Sequence, residues 1–158
     1  MNKKKTVGLI AITNTGKAVL QVRGDFNMEK NNVETYRSAT QLTVHGSIED
    51  NETEKDALLR EAKEELGEEF ANLVQGSPLY QLNKIKNEKI SVINFGIRIA
   101  EKDLDKIKGV KIRLVSKDEI DNIKELKLSD RLTGVDENEI VMFRDDIEAM
   151  KLVFEKFD

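Results

Sequence analysis

Residues 46–67 read GSIEDNETEKDALLREAKEELG, and this stretch decides the fold of the chain. Its second half consists of good helix formers without proline, so we predict a helix there. Asn51 or Thr53 can cap the start of that helix, and Thr53-x-x-Asp56 has the form of a capping box. Gly67 is suited to end the helix, because glycine adopts the left-handed backbone region easily.

The predicted helix has an apolar side and an acidic side. At about 100° per residue, the apolar side contains Leu58, Leu59, Ala62 and Leu66. The neighbouring face gathers Glu61, Glu64 and Glu65, whose like charges lie three and four residues apart and oppose helix formation. Two interpretations fit this clustering: an ordinary solvated face, or a site for a hard divalent cation such as Mg²⁺, which prefers carboxylate oxygens.

The spacing of the whole stretch resembles the Nudix box, the signature of the Nudix hydrolase superfamily. The matching positions are Gly46, Glu52, Arg60, Glu61, Ala62, Glu64, Glu65 and Gly67. There are two departures from the pattern: Glu68 occupies its final apolar position, and His45 replaces the glycine that often precedes Gly46. Neither departure removes a carboxylate. A motif with this many fixed positions is a far stronger signal than a lone glycine-rich loop.

The resemblance implies an α/β (α+β) fold with a mixed β-sheet sandwiched between helices, in a single domain over residues 1–158. It also implies an activity, the hydrolysis of a pyrophosphate bond in a nucleoside diphosphate linked to another group. Water would attack at phosphorus with the help of Mg²⁺, or alternatively Mn²⁺.

Roles for individual residues follow from the same resemblance. Glu61, Glu64 and Glu65 are the expected catalytic metal ligands, and the Gly46 carbonyl is an additional ligand. A loop–helix pair supports the site, formed by Glu52 and Arg60. We expect Glu61 to act as the general base. The alternatives outside the box are Glu101, Glu119 and Glu125, each of which is also readily explained as a surface residue.

Composition excludes several other classes of protein. The chain has 158 residues and a net charge of −4, which gives no basic field for nucleic acid as the main partner. Capped RNA still belongs to the substrate range that the resemblance implies. The absence of cysteine excludes disulfides, thiolate catalysis and sulfur-ligated zinc, and a single histidine excludes a Ser-His-Asp triad.

Cellular context follows from the same composition. The apolar run near the start is short and fits a first strand better than a leader peptide. No stretch has the length of a membrane span, so we expect a cytoplasmic protein. Its expected partner is a nucleotide-like diphosphate, and the resemblance is compatible with a homodimer.

Candidate substrate-binding residues lie next to the box, in the long polar segment 24–37, or at the end of the strand just before that segment. Phe26 and Tyr36 are candidates for stacking on a base, and each could instead anchor the loop. Arg23 is suited to clamp a phosphate, because its guanidinium fork matches oxyanions; it could also be a surface charge. His45 adjoins the box and could contact substrate, or it could be packed or solvated.

Periodicity predicts the remaining elements. We expect strands at residues 7–12, 17–23, 41–45, 79–82, 89–100 and 110–115, with a hairpin turn at residues 14–16. Ser116-x-x-Glu119 should open a short helix. A terminal helix over residues 139–157 would carry an apolar stripe that faces the core or a dimer partner.

Two other functions remain open. Some Nudix-like domains act as ligand sensors without hydrolysis, although the complete set of carboxylates weighs against that interpretation. The isopentenyl diphosphate isomerase branch shares the fold, but its chemistry is usually served by a cysteine, which this chain lacks.

Overall fold

A computed structural model describes residues 3–27, 31–130, 135–136 and 138–157. Its strands are β1 (Lys4–Thr13), β2 (Lys17–Val22), β3 (Phe26–Asn27), β4 (Asn32–Val33), β5 (Thr40–Gln41), β6 (Val44–Ser47), β7 (Tyr80–Lys86), β8 (Ile90–Ile99), β9 (Lys111–Ser116), β10 (Lys124–Leu126) and β11 (Val141–Phe143). Its helices are α1 (Glu54–Leu66), α2 (Glu68–Gln75) and α3 (Arg144–Lys156), with 3₁₀ helices at Glu101–Lys106 and Lys117–Asn122.

The main sheet is mixed and is built around β1. Within the described residues it has seven strands in the order β5-β2-β1-β8-β7, and β6 and β9 pair with β1 and β2 respectively. β1 runs parallel to β8 and antiparallel to β2 and β6. The last eight residues of β1 are all buried, as expected of a strand covered on both faces. β3 pairs with β4 and β10 with β11 as separate two-stranded sheets.

Helices cover both faces of this sheet. Because side chains alternate along a strand, Leu9 and Ala11 of β1 join the core beneath α1 and α2. Ile10 and Ile12 join a second core beneath α3. The predicted α+β architecture, a mixed sheet sandwiched between helices, is confirmed.

The strand predicted at residues 41–45 is divided into β5 and β6. At the division, the Thr43 hydroxyl accepts a hydrogen bond from the Ala11 amide at 2.9 Å and donates one to the Val19 carbonyl. The Thr43 side chain therefore hydrogen-bonds an amide of β1 and a carbonyl of β2, two backbone groups that would otherwise be available for strand pairing. The division leaves β6 to lead directly into the box, with Gly46 opposite Val7 of β1.

The prediction of one helix over residues 139–157 is wrong, because this segment contains a strand before its helix. Helix α3 begins at Arg144, while Val141–Phe143 forms β11 and pairs in parallel with β10. The strand pairing satisfies the backbone of this segment, and Val141 and Met142 are buried within it. The apolar stripe faces the core of the same chain, because Ile147, Met150 and Phe154 are all buried.

Three smaller features differ from the predictions. Helix α2 follows α1 directly and was not predicted. The polar segment 24–37 contains the short β3–β4 pair, and the strand predicted at residues 79–82 extends to Lys86. No helix in the described ranges is both long enough and apolar enough to cross a bilayer.

Candidate active site

Helix α1 is fixed at both ends by the residues that the sequence indicated. Of the two candidate caps, Thr53 fills the position: its hydroxyl accepts from the Asp56 amide at 3.0 Å, and the Asp56 carboxylate accepts from the Thr53 amide at 3.4 Å. Asn51 instead lies in the preceding turn with φ of 67°. Gly67 ends the helix with φ of 98°, in the region that favours glycine.

Arg60 ties the box loop to the helix. Its Nε and Nη2 atoms donate to the two Glu52 carboxylate oxygens at 2.8 and 3.0 Å, and Nη2 also donates to the Ser47 carbonyl at 2.9 Å. This hydrogen bonding is the main reason why the pKa of Glu52 is lowered and that of Arg60 is raised. The structure thus brings together the pair that was expected to support the site.

The three glutamates of the box differ in their surroundings. Glu61 is buried, and its Oε1 accepts from Arg60 Nη1 at 2.9 Å. Glu64 lies 3.6 Å from the same Nη1 atom, with 58% of its side chain exposed. Glu65 accepts a hydrogen bond from Gln21 Nε2 at 3.0 Å. Arg60 and Gln21 therefore hold two of the three carboxylates in place.

Gly46 is required by its contact with Glu61. A Cβ atom added at Gly46 would lie 2.1 Å from Glu61 Cδ, far inside van der Waals contact. Only a residue without a side chain leaves room for the glutamate there. This contact brings the Gly46 backbone, an expected metal ligand, next to an expected ligand on the helix.

A cleft of about 790 Å³ opens beside the box helix. Its lining includes Gln21, Arg23, Phe26, Gln41, His45 and Glu65. A neighbouring cavity of about 400 Å³, which we call the side cavity, shares three of these residues, Arg23, Gln41 and His45. Glu65 thus lies in a cleft that adjoins the side cavity at Arg23, Gln41 and His45.

The side cavity combines apolar walls with a few polar groups, as ligand pockets commonly do. Its apolar lining includes Leu42, Val92, Leu126 and Phe143, and its polar lining includes Asn94, Asp145 and Asp146. Burial raises the pKa of Asp146 to about 7, with a further upward contribution from Asp145 and an opposing one from Arg23. The protonation of the Asp146 carboxyl group therefore changes near neutral pH.

The four predicted substrate-binding residues have different positions. Phe26 is half exposed at the cleft, and His45 lines both spaces. The pKa of His45 is lowered, chiefly by desolvation and then by the charges of Arg23 and Lys4. The cleft wall around His45 thus favours its neutral imidazole.

Arg23 and Tyr36 are joined in one aromatic cluster. The Arg23 guanidinium lies 5.7 Å from the Tyr36 ring centroid and 5.6 Å from that of Phe143, and it forms a 3.4 Å ion pair with Glu34. Tyr36 packs edge-on against Phe143 and donates its hydroxyl hydrogen to the Leu128 carbonyl. Tyr36 thus packs as a loop anchor, and Arg23 forms a wall of both chambers.

The alternative general bases lie in other surroundings. Glu119 accepts hydrogen bonds from the amide and hydroxyl of Ser116 at the start of a 3₁₀ helix. Glu101 and Glu125 are exposed, on the other 3₁₀ helix and on β10. Neither these three residues nor Glu61 contribute to the lining of the cleft that contains Glu65.

Within the described residues, no group of three or more His, Asp or Glu side chains is arranged closely enough to hold a metal ion. The groups that could supply ligands are the carboxylates of Glu61, Glu64 and Glu65 and the Gly46 carbonyl. All four are oxygen donors, which suits a hard divalent cation.

Sequence reasoning missed several residues of this region, among them Gln21, Asn94, Phe143 and Asp146. A polar glutamine within the apolar strand KAVLQV was a usable signal for Gln21. Phe143 and Asp146 were not recognised as cavity residues, because residues 139–157 were predicted to form one continuous helix. Asn94 gave no local signal.

The family model of the NUDIX domain matches residues 2–138. This match covers most of the chain. The chain belongs to the Nudix family. No curated protein matched the sequence.

Solved Nudix structures share the fold of this Nudix domain. A mutT/nudix family protein from Listeria innocua superimposes with a TM-score of 0.67 at 15% identity, covering 99% of this chain and 95% of that one. A NUDIX family hydrolase from Clostridium perfringens gives 0.52 at 15% identity, with both chains fully covered.

A third structure, DR0079 from Deinococcus radiodurans, gives a TM-score of 0.50 at 17% identity. The match covers 69% of the present chain and spans 65% of the Deinococcus protein. At these identities the likeness concerns the fold.

Proposed function

We propose that this Nudix protein is a Mg²⁺-dependent hydrolase that cleaves a pyrophosphate bond in a nucleoside diphosphate linked to another group. The observation that carries the proposal is the contact between Gly46 and Glu61 of helix α1, whose Glu65 side chain lines the cleft. This contact brings the Gly46 backbone next to a buried carboxylate, and Glu65 of the same helix lines a space large enough for a small-molecule ligand.

The donor groups fit a divalent cation in their chemistry. Glu61, Glu64, Glu65 and the Gly46 carbonyl offer oxygen atoms from one helix and the strand beside it. Mg²⁺ accepts such ligands and retains positions for water and phosphate; Mn²⁺ accepts the same oxygen set. When bound, the ion supplies charge neutralisation of the diphosphate and a lowered pKa of bound water.

The residues of the chain provide positioning and proton transfer. Arg60 holds Glu61 through the hydrogen bond to Oε1, and Glu52 fixes Arg60 through its two oxygens. Glu61 is the proposed general base, which takes the proton of the attacking water. Since phosphoryl transfer depends mainly on positioning and charge stabilisation, a small set of fixed carboxylates is sufficient.

The side cavity is the proposed location for the part of the substrate away from the scissile bond. It adjoins the cleft that Glu65 lines and shares Arg23, Gln41 and His45 with it. Its volume of about 400 Å³ falls within the range of small-molecule pockets. Its polar groups Asn94, Asp145 and Asp146 offer hydrogen-bonding partners among apolar walls.

The test is hydrolysis by the purified protein with Mg²⁺ across five classes of compound. The classes are nucleoside triphosphates, nucleotide sugars, ADP-ribose, dinucleotide cofactors and dinucleoside polyphosphates. Wild type is compared with Glu64→Gln, which changes a largely exposed side chain, and with Glu65→Gln. Glu69→Gln, an exposed change on α2 just beyond the box, is the matched control for losing one carboxylate.

We expect at least one class to be hydrolysed only in the presence of the metal. Glu64→Gln and Glu65→Gln should each reduce kcat by roughly 100-fold or more, the scale of losing one group that stabilises developing charge, with no change in the circular dichroism spectrum. Full activity in a Glu64→Gln/Glu65→Gln double variant would refute the proposal. Nucleotide binding without hydrolysis of any class would support the sensor interpretation.

A further inference from the structure

Gln21 is a buried polar residue in an otherwise apolar part of the sheet. It follows Ala18, Val19 and Leu20 in β2, which are all buried, and it is itself only 5% exposed. By strand alternation its side chain lies on the same face as Val19, which packs in the core beneath α1. Burying an amide is costly unless it is hydrogen-bonded, so the contacts of this side chain require an explanation.

Both contacts of the Gln21 amide nitrogen are with acceptors. Nε2 donates to the Thr43 carbonyl at 2.7 Å and to Glu65 Oε1 at 3.0 Å. A carbonyl and a carboxylate can only accept, so the amide must present its NH₂ group to them. The orientation of the side chain is thereby settled by its partners.

The acceptor on the sheet side is itself firmly held. Thr43 is 1% exposed, and its hydroxyl accepts from the Ala11 amide and donates to the Val19 carbonyl. Gln21 therefore connects Glu65 on α1 to a point where β1, β2 and the β5–β6 segment are joined. A hydrogen bond from a neutral donor to a charged acceptor is also stronger than one between neutral groups.

We propose that Gln21 is a positioning residue for Glu65, which holds this carboxylate at the cleft wall in the orientation needed to bind the divalent cation. The inference rests on the proposed function. Gln21 acts through Glu65 and takes no part in the chemistry. Residues that orient metal ligands typically contribute about 10- to 100-fold in metal affinity or activity.

The experiment compares wild type with Gln21→Met, which keeps the approximate size of the side chain and removes both donors. Gln21→Glu is the second variant, since it replaces the donor by a carboxylate that repels Glu65. Gln81→Met, an exposed change on β7, is the matched control. Three quantities are measured: the rise in melting temperature of substrate-free protein across a Mg²⁺ titration, and kcat and KM for the best substrate of the panel.

We expect both Gln21 variants to need about 10- to 100-fold more Mg²⁺ for half-maximal stabilisation. Their kcat at a fixed, limiting Mg²⁺ concentration should fall by a similar factor, while KM for the substrate changes little. Saturating Mg²⁺ should restore part of the lost kcat in Gln21→Met. Gln81→Met should match wild type in every measurement.

Two results would overturn the inference alone. One is a Gln21→Met variant that binds Mg²⁺ and turns over as wild type does. The other is a variant with a lower melting temperature but unchanged Mg²⁺ dependence, which would make Gln21 a structural residue only. If wild type itself showed neither stabilisation by Mg²⁺ nor hydrolysis, the proposed function would fail and the inference with it.

Discussion

Arg60 and Glu52 form a two-point ion pair, with Nε to Oε2 at 2.8 Å and Nη2 to Oε1 at 3.0 Å. The same guanidinium reaches Glu61 and the Ser47 carbonyl, each at 2.9 Å. One planar group thus holds the loop, the strand end and a proposed metal ligand at once. A fork of this kind has a fixed geometry that a lysine ammonium cannot reproduce.

We therefore expect Arg60→Lys to lower activity although it keeps the charge. The ammonium cannot hold Glu52, Ser47 and Glu61 together, so Glu61 loses its fixed orientation. A fall in kcat of about 10- to 100-fold is expected, measured with the substrate found by the panel. Lys63→Arg, an exposed change on the same helix, should leave kcat unchanged. Wild-type kcat in Arg60→Lys would show that the fork geometry is unimportant.

Gly46→Ala should disable the site without unfolding the protein. The new methyl group would lie 2.1 Å from Glu61 Cδ, so the glutamate must move away from the position it now occupies. We expect kcat to fall by roughly 100-fold, comparable to loss of one charge-stabilising group, with an unchanged circular dichroism spectrum. At Gly76, a Cβ would meet its nearest atom at 3.6 Å, an ordinary contact, so Gly76→Ala is the control.

Asp146 should make stability depend on pH. Burial raises its folded-state pKa from an ordinary value near 3.8 to about 7. At this group the folded protein therefore binds more protons than the unfolded chain between these values, and the contribution of Asp146 to stability falls as pH rises from about 4 to 7 and then levels off.

Asp146→Asn removes this titration. At about 1.4 kcal/mol per pKa unit this shift corresponds to about 4 kcal/mol. The Asp146 side chain is only partly buried and solvent screens its charge, so we expect the variant to exceed wild type by roughly 1–3 kcal/mol at pH 8 and to differ little at pH 4. Urea unfolding at both pH values measures this. Asp121→Asn, on an exposed 3₁₀ helix, controls for the change in net charge. Parallel pH profiles for wild type and Asp146→Asn would contradict the assignment.

Phe26 provides a test of base stacking at the cleft. It pairs across β3–β4 with Val33, and the two side chains are 50% and 53% exposed. Only Phe26 contributes to the cleft lining. If it stacks on a base, Phe26→Ser should raise KM by about ten-fold, since such stacking is worth roughly 1–3 kcal/mol. Val33→Ser should leave KM unchanged, and equal effects of the two changes would refute stacking.

The box helix could be predicted closely because its determinants are local. Thr53 and Asp56 cap each other three residues apart, and Gly67 ends the helix through its own backbone preference. The buried positions Leu58, Ala62 and Leu66 follow the helical period. The terminal segment was predicted less well, because Val141–Phe143 is helical by period yet pairs with β10, a strand 17 positions away in register. The cytoplasmic location and the homodimer stay predictions of the sequence.

The sequence by itself determined the box and the order of its acidic residues, and it was sufficient to predict a mixed α+β fold. These features depend on offsets of three and four residues, and residues at those offsets lie next to each other on a helix. Tertiary structure alone decided that Gln21 meets Glu65, 44 residues away, and that Arg23 lies against Phe143. Such contacts depend on which strands pair and in what register, and pairing is settled by packing of the whole chain.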